Sequence, residues 1–191
     1  MLLTLVAFAF AESTPRFPEL SSAEWAKLND GEVVMHAEAD GARVTATGIV
    51  KVRVPPDALW PVVLDVEARI PENATLEHVR EYRREGPNRW YLQVDMEVLG
   101  ADLRIHHRYT WDPAHNSAAY TLDPAKPNDL AVADGWYLAR PTEGGTVLVY
   151  QAVTEAKVPV PGWVKKWLAR DQMEALLAGI RRRAEGARRR G

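Results

Sequence analysis

The sequence predicts an α+β domain: an antiparallel sheet of six to eight strands packed on a long C-terminal helix. Three observations carry this. Between Glu32 and Lys157 most of the chain reads as runs of alternating apolar and polar residues, the period-two signature of half-buried strands. Asp-Gly, Gly-Ala, Asp-Pro, Pro-Asn-Asp and Gly-Gly turn signals punctuate those runs. After Pro159-Val160-Pro161-Gly162 the pattern turns helical, and that helix is the only large element on which the sheet can bury its apolar face.

Glu32 to Glu38 and Arg43 to Val54 flank Asp40-Gly41, a strong hairpin signal between β-rich runs. In the second run Val44, Ala46, Gly48, Val50, Val52 and Val54 alternate with Thr45, Thr47, Ile49, Lys51 and Arg53, giving one buried face and one wet face. Pro55-Pro56-Asp57 then opens a helix, because proline is pre-organised for the first helical position and Asp suits the positive pole. Pro61 removes one hydrogen bond inside that helix and keeps it short or bent. From Asn73 to Glu85 the local pattern is ambiguous: Leu76, Val79 and Tyr82 recur every three residues, which by itself favours a helix capped by Asn73.

Arg89 to Leu99 places Trp90, Leu92, Val94, Met96 and Val98 on one face; Leu103, Ile105, His107, Tyr109 and Trp111 alternate in the next run. Ser117 to Leu122, Leu130 to Arg140 and Thr146 to Lys157 complete the strands. In the terminal helix Trp163, Val164, Trp167 and Leu168 lie in one arc of the helical wheel, and Met173, Leu176, Leu177 and Ile180 in another. This phase change predicts a short first helix to about Ala169, then a bend and a longer helix to about Glu185.

Composition excludes several classes of function. The 191 residues suit one domain. No stretch reaches the ~18 apolar residues of a membrane-spanning helix. Cysteine is absent, which removes disulfides, thiol nucleophiles and Cys-based metal centres. A net charge of -2 argues against a nucleic-acid partner, while seven Trp and six Tyr imply a large core, a pocket or both. No Gly-x-Ser-x-Gly elbow or phosphate-cradling glycine loop is present. His106 and His107 are adjacent on a strand, so they point to opposite faces and cannot share a metal. No metal, cofactor or catalytic residue is expected.

The ends differ from the body. Residues 1–11 form a short apolar run closed by Ala9-Phe10-Ala11, the small-x-small pattern of a signal-peptidase site, with 12–18 as a leader. The expectation is a periplasmic or secreted protein; the alternative is an apolar segment packed on a cytoplasmic one. The C-terminal IRRRAEGARRRG is a basic end on an acidic body, with 187–191 as an Arg-rich tail. Weak contact with an anionic membrane surface is one reading, and a solvated helix end beside the negative pole of the helix dipole is the other.

Several segments, in order, resemble one family. DGEVVMHAEADG followed by VTATGIVKVRVPPDALWPVVLD is similar to an opening hairpin, strand, Pro-led helix and closing aspartate. ADGWYLARPTEGGTVLVYQAV is similar to its Gly-x-Trp strand, Gly-Gly-Thr turn and last long strand, and VPVPGWVKKWLARDQMEALLAGIRRRAE to its Pro-Gly-Trp entry and terminal helix. Over about residues 19–186 the chain resembles the START-like helix-grip (SRPBCC) superfamily of polyketide cyclases and coenzyme Q-binding START-like proteins. The resemblance implies a curved antiparallel sheet wrapped around the long C-terminal helix, with one or two short helices after the first long strand. It makes Thr75 to Arg84 a strand. Asp65 matches the family's aspartate, and its place at the end of the helix points to a structural hydrogen bond before the next loop and not to a catalytic role. Two features depart from the pattern: Pro61 stands where a plain helix former is usual, and Val66 to Pro71 replaces an aromatic-rich segment.

The resemblance also implies a cavity between sheet and helix. Its expected lining is Val94, Met96, Leu103, Ile105, His107 and Tyr109 from two strands, Trp136 from a later one, and Trp163, Trp167, Met173, Leu176 and Leu177 from the helix. An apolar wall with a few polar groups suits a lipid, isoprenoid or quinone held for carriage or sequestration, with His107, Tyr109 or Trp136 orienting a polar head. The alternatives are a cyclase- or hydrolase-like enzyme in the same pocket, and an interaction module using the open sheet face or the Arg tail.

Overall fold

The computed structural model describes residues 15–98, 100–157 and 162–188, with side chains in the last helix described from 170 to 187. Residues 1–11, expected to be a signal peptide, the first part of the expected leader and the last three residues of the Arg-rich tail lie outside the described residues.

A helix that the strand reading passes over comes first. α1 (Ser22–Asn29) is closed at its start by a capping box: Ser21 Oγ accepts from the Glu24 amide, and the Glu24 carboxylate accepts from the Ser21 amide at 2.8 Å. The helix lies on the outer face of the sheet. Its Leu28 joins Ile49, Val147 and Val149 in a buried cluster, with Phe17, Leu20 and Trp25 packed against it. This corrects the wet-face expectation for Ile49, which is fully buried beneath the helix.

β1 (Val34–Asp40) and β2 (Arg43–Val52) pair from Val34↔Ile49 to Asp40↔Arg43, so the hairpin turns through Gly41-Ala42. Gly41 supplies the φ of 56° that this tight turn needs. α2 (Pro56–Leu64) buries Leu59, Trp60 and Val63 and tolerates Pro61 because it is only nine residues long. A 3-10 segment follows at Glu67–Glu72. Asp65 bridges the two: its Oδ1 accepts from the Ala68 amide at 3.0 Å, a structural hydrogen bond of the kind its place at the helix end predicts.

Six strands then run in sequence: β3 (Leu76–Arg84), β4 (Arg89–Val98), β5 (Ala101–Asp112), β6 (Ser117–Leu122), β7 (Leu130–Thr142) and β8 (Gly145–Ala156). All pairings are antiparallel and the sheet order is β1-β2-β8-β7-β6-β5-β4-β3. The segment with threefold recurrence is therefore a strand. Its register shifts twice, between Leu76 and His78 and between Glu81 and Arg83. The first bulge leaves Glu77 unpaired and so brings Leu76 and Val79, three apart, to one face, whereas Tyr82 stands on the other face beside His106 and donates to Asp123 at 2.8 Å.

α3 (Gly162–Arg188) is one continuous helix, which corrects the two-segment expectation. Met173, Leu177, Ile180 and Ala184 recur at helical spacing and are buried with Val50, Val52, Leu59 and Leu148. The helix approaches β2 closely at Gly48, where a β-carbon would stand 2.5 Å from Leu177 Cδ1 and 2.8 Å from Met173 Sδ. Glu72 fastens the 3-10 segment to α3 through Arg183 at 3.3 Å and Arg182 at 3.9 Å. Sheet and helix are thus packed solid around Leu177 and Ile180, and space opens beyond Met173.

Candidate functional site

That space is a cavity of about 820 Å³ between the concave face of the sheet and α3. Strand alternation supplies its wall. Val94, Met96, Leu103, Ile105, His107 and Tyr109 all line it, as do Met173 and Leu176 from α3. The exposed residues Ala42, Ala101, Asp102, Asp129 and Lys157 belong to the same lining and form its rim.

Two of the other predicted wall residues stand elsewhere. Trp136 is a correction: Tyr137 takes the inward position on β7, so its neighbour must face outward. Trp136 packs under α1, and its Nε1 donates to Gln151 Oε1 at 3.1 Å, while Gln151 Nε2 donates to Thr47 Oγ1 at 3.2 Å. Leu177 is a second correction, because it is consumed in the packed part of the interface against Gly48 and is 0% exposed. The side chains of Trp163 and Trp167 lie outside the described residues. His106 faces away from His107, as adjacency on a strand requires, and its Nδ1 lies 2.8 Å from the Pro127 carbonyl.

The sequence reading missed the most polar part of the wall. Tyr120, Tyr137 and Tyr150 project inward from β6, β7 and β8 and line the cavity with Arg69. The Tyr137 and Tyr150 rings stack with centroids 4.3 Å apart and planes at 6°. The Tyr120 and Tyr150 hydroxyls are 2.6 Å apart. Arg69 reaches in from the 3-10 segment and is 5% exposed. Its Nη1 donates to the Tyr137 hydroxyl at 3.0 Å and its Nη2 donates to the Val63 carbonyl. A phase assignment of the last three strands would have found the tyrosines. Arg69 had no signal, since it sits in a short non-periodic segment with no motif around it.

Protonation follows from burial. The His107 imidazole is 8% exposed, and neither ring nitrogen has a hydrogen-bond partner among the described residues. Burial pushes its pKa down to about 4, the His106 charge adds to this, and the Ala133 backbone, close by but outside hydrogen-bond geometry, opposes it. Burial, and then the neighbouring tyrosines, raise the Tyr120 and Tyr150 hydroxyls well above the ordinary phenol range. Tyr109 is raised for the same reasons. At neutral pH the deep wall therefore carries the neutral phenols of Tyr109, Tyr120 and Tyr150, a neutral imidazole and the Arg69 guanidinium. Among the described residues, the one set of three or more potential metal ligands close enough to share a cation is Glu77, Glu97 and Asp102, with oxygens within 4.8 Å, exposed on the surface.

No protein-family model matches the sequence, and no curated protein matches it. Solved structures do. A START superfamily protein from Mycobacterium smegmatis is 22% identical with a TM-score of 0.62, the match covering 75% of this chain and 98% of that one. A STAR-related lipid transfer protein from Xanthomonas axonopodis is 13% identical with a TM-score of 0.67, covering 80% of this chain and 93% of that one. A Streptomyces aromatase/cyclase is 21% identical with a TM-score of 0.58, covering 75% of this chain and 94% of that one. The chain has the START-like helix-grip fold, an eight-stranded antiparallel sheet curved around its C-terminal helix.

Proposed function

We propose that this protein binds one hydrophobic small molecule of lipid, isoprenoid or quinone type in the cavity, for carriage or sequestration and not for turnover. The observation that carries the reading is the cavity itself: about 820 Å³ bounded by Val94, Met96, Ile105, Met173 and Leu176. That volume lies within the range of small-molecule sites, which are mostly apolar with a few placed polar groups. Burying apolar ligand surface contributes ~25 cal/mol per Å² before ordering costs, so the walls supply most of the affinity. Lipid transfer proteins of the same fold give the reading its precedent.

A second reading, a cyclase- or hydrolase-like enzyme in the same cavity, is favoured by Arg69 beside the Tyr137 hydroxyl. Together they present donors that could polarise a substrate carbonyl.

Native mass spectrometry of the purified protein, with titration by the neutral apolar dye Nile red, tests the first reading. A copurified apolar ligand, or saturable dye binding displaced by a lipid, supports it. A ligand-free protein that binds no dye overturns it. Chemical change in a bound compound on incubation would transfer the assignment to the enzyme.

A further inference from the structure

We propose that the ligand is a monoanionic amphiphile, an apolar body ending in a single carboxylate, and that Arg69 holds that head. This rests on the reading of the cavity as a ligand site. Arg69 is the only charged side chain among the buried residues lining the cavity within the described chain, because burial keeps His107 neutral. Its present hydrogen-bond partners are a phenol hydroxyl and a backbone carbonyl, both uncharged. No carboxylate lies within 4.0 Å of it among the described residues; the nearby Glu72 pairs with Arg182 and Arg183. A buried charge without a counter-charge is costly, and pairing it in a dry site recovers part of that cost.

The donor arithmetic leaves room for a ligand. A guanidinium has five N–H groups, two on each terminal nitrogen. Nη1 and Nη2 each spend one on the contacts above, and Nε is buried with no partner. A second hydrogen on each terminal nitrogen remains, and the planar fork matches the two oxygens of a carboxylate. One positive charge selects a single negative charge, since a dianionic phosphate would leave an uncompensated charge in the apolar interior. Tyr120 and Tyr150 extend the selection: their raised pKa values keep them neutral, so they do not repel an anion. The apolar residues Val94, Met96 and Leu176 are left for the ligand body.

Displacement of Nile red by oleate and by oleyl alcohol at pH 8 tests this, because the two share a tail and differ in the charge of the head. Wild-type protein is expected to prefer oleate by at least tenfold, and Arg69→Met to lose that preference while still binding the dye. Equal potency in the wild type, or an unchanged preference in a folded Arg69→Met, overturns the proposal. Should Arg69→Met fail to fold, a carbon-13 NMR titration of carboxyl-labelled oleate on the wild type decides. A carboxyl held by Arg69 stays ionised below the pH at which an ordinary carboxyl takes its proton; one that titrates at or above its free value overturns the proposal. Dye binding without acid preference defeats this inference and leaves the cavity reading standing, whereas absence of dye binding and of any copurified ligand defeats both.

Discussion

His107 shows how one residue can be legible in position and opaque in consequence. Alternation along β5 places it in the wall, and nothing in the sequence says that both ring nitrogens go without partners there. Such a group is neutral when folded and free to protonate when unfolded. The unfolded imidazole takes its proton as pH falls through about 6.5, the buried one only near about 4. Across that window the unfolded chain binds more protons, so stability falls as pH falls from 6.5 towards 4. Replacing His107 with Phe removes this linkage without leaving a void. Urea midpoints should therefore drop less between pH 7 and pH 4 in His107→Phe than in the wild type. The difference should be on the order of 2–3 kcal/mol. Parallel pH profiles would show that the imidazole is solvated or paired.

At the scale of elements, the contacts of α3 set the cost of small changes. Gly48 is where β2 admits the helix, and a methyl group there meets both Leu177 and Met173. Gly48→Ala should destabilise the fold by ~1–3 kcal/mol through overpacking. At Gly186, towards the other end of α3, an added β-carbon would meet nothing within 4 Å. Gly186→Ala should therefore be neutral or stabilising by up to ~1 kcal/mol through helix propensity. Thermal unfolding of the two variants separates packing from propensity, and similar shifts would contradict the close approach. The Ser21 cap offers a third test at this scale: Ser21→Ala should cost ~0.5–2 kcal/mol, read as loss of α1 protection in amide exchange. The elements also show where sequence patterns mislead. The hairpin, α2 and strands β4 to β8 follow their periodicity and turn residues. β3 looks helical because a bulge brings Leu76 and Val79 to one face three residues apart, and Tyr82 on the other face continues the spacing by chance. α1 is overlooked because eight residues carry too few apolar positions for a pattern, although its Ser-x-x-Glu box is present.

The whole molecule divides into a packed half and a hollow half, and this division decides which site residues could be read from the chain. Residues on β4 and β5 belong to long regular strands, so their phase reported the cavity wall correctly. Leu177 has the right helical phase and the wrong height, since packing between Gly48 and Ile180 consumes it. Arg69 depends on the path of a non-periodic segment, which only the assembled fold fixes. The same division gives a direct test of the hollow half. Ile105 is 3% exposed and lines the cavity from the middle of β5, opposite Val94 on β4. In a close-packed core a larger residue there would force strain costing ~1–3 kcal/mol. Facing a void of this size, the added indole can fill empty volume and bury apolar surface. Ile105→Trp should therefore abolish Nile red binding while shifting the thermal midpoint by no more than a few degrees, the scale of a ~1 kcal/mol change. A variant that unfolds, paired with a wild type that binds no dye, would mean the space is closed in solution, and the outer sheet face would then become the surface to examine for partners.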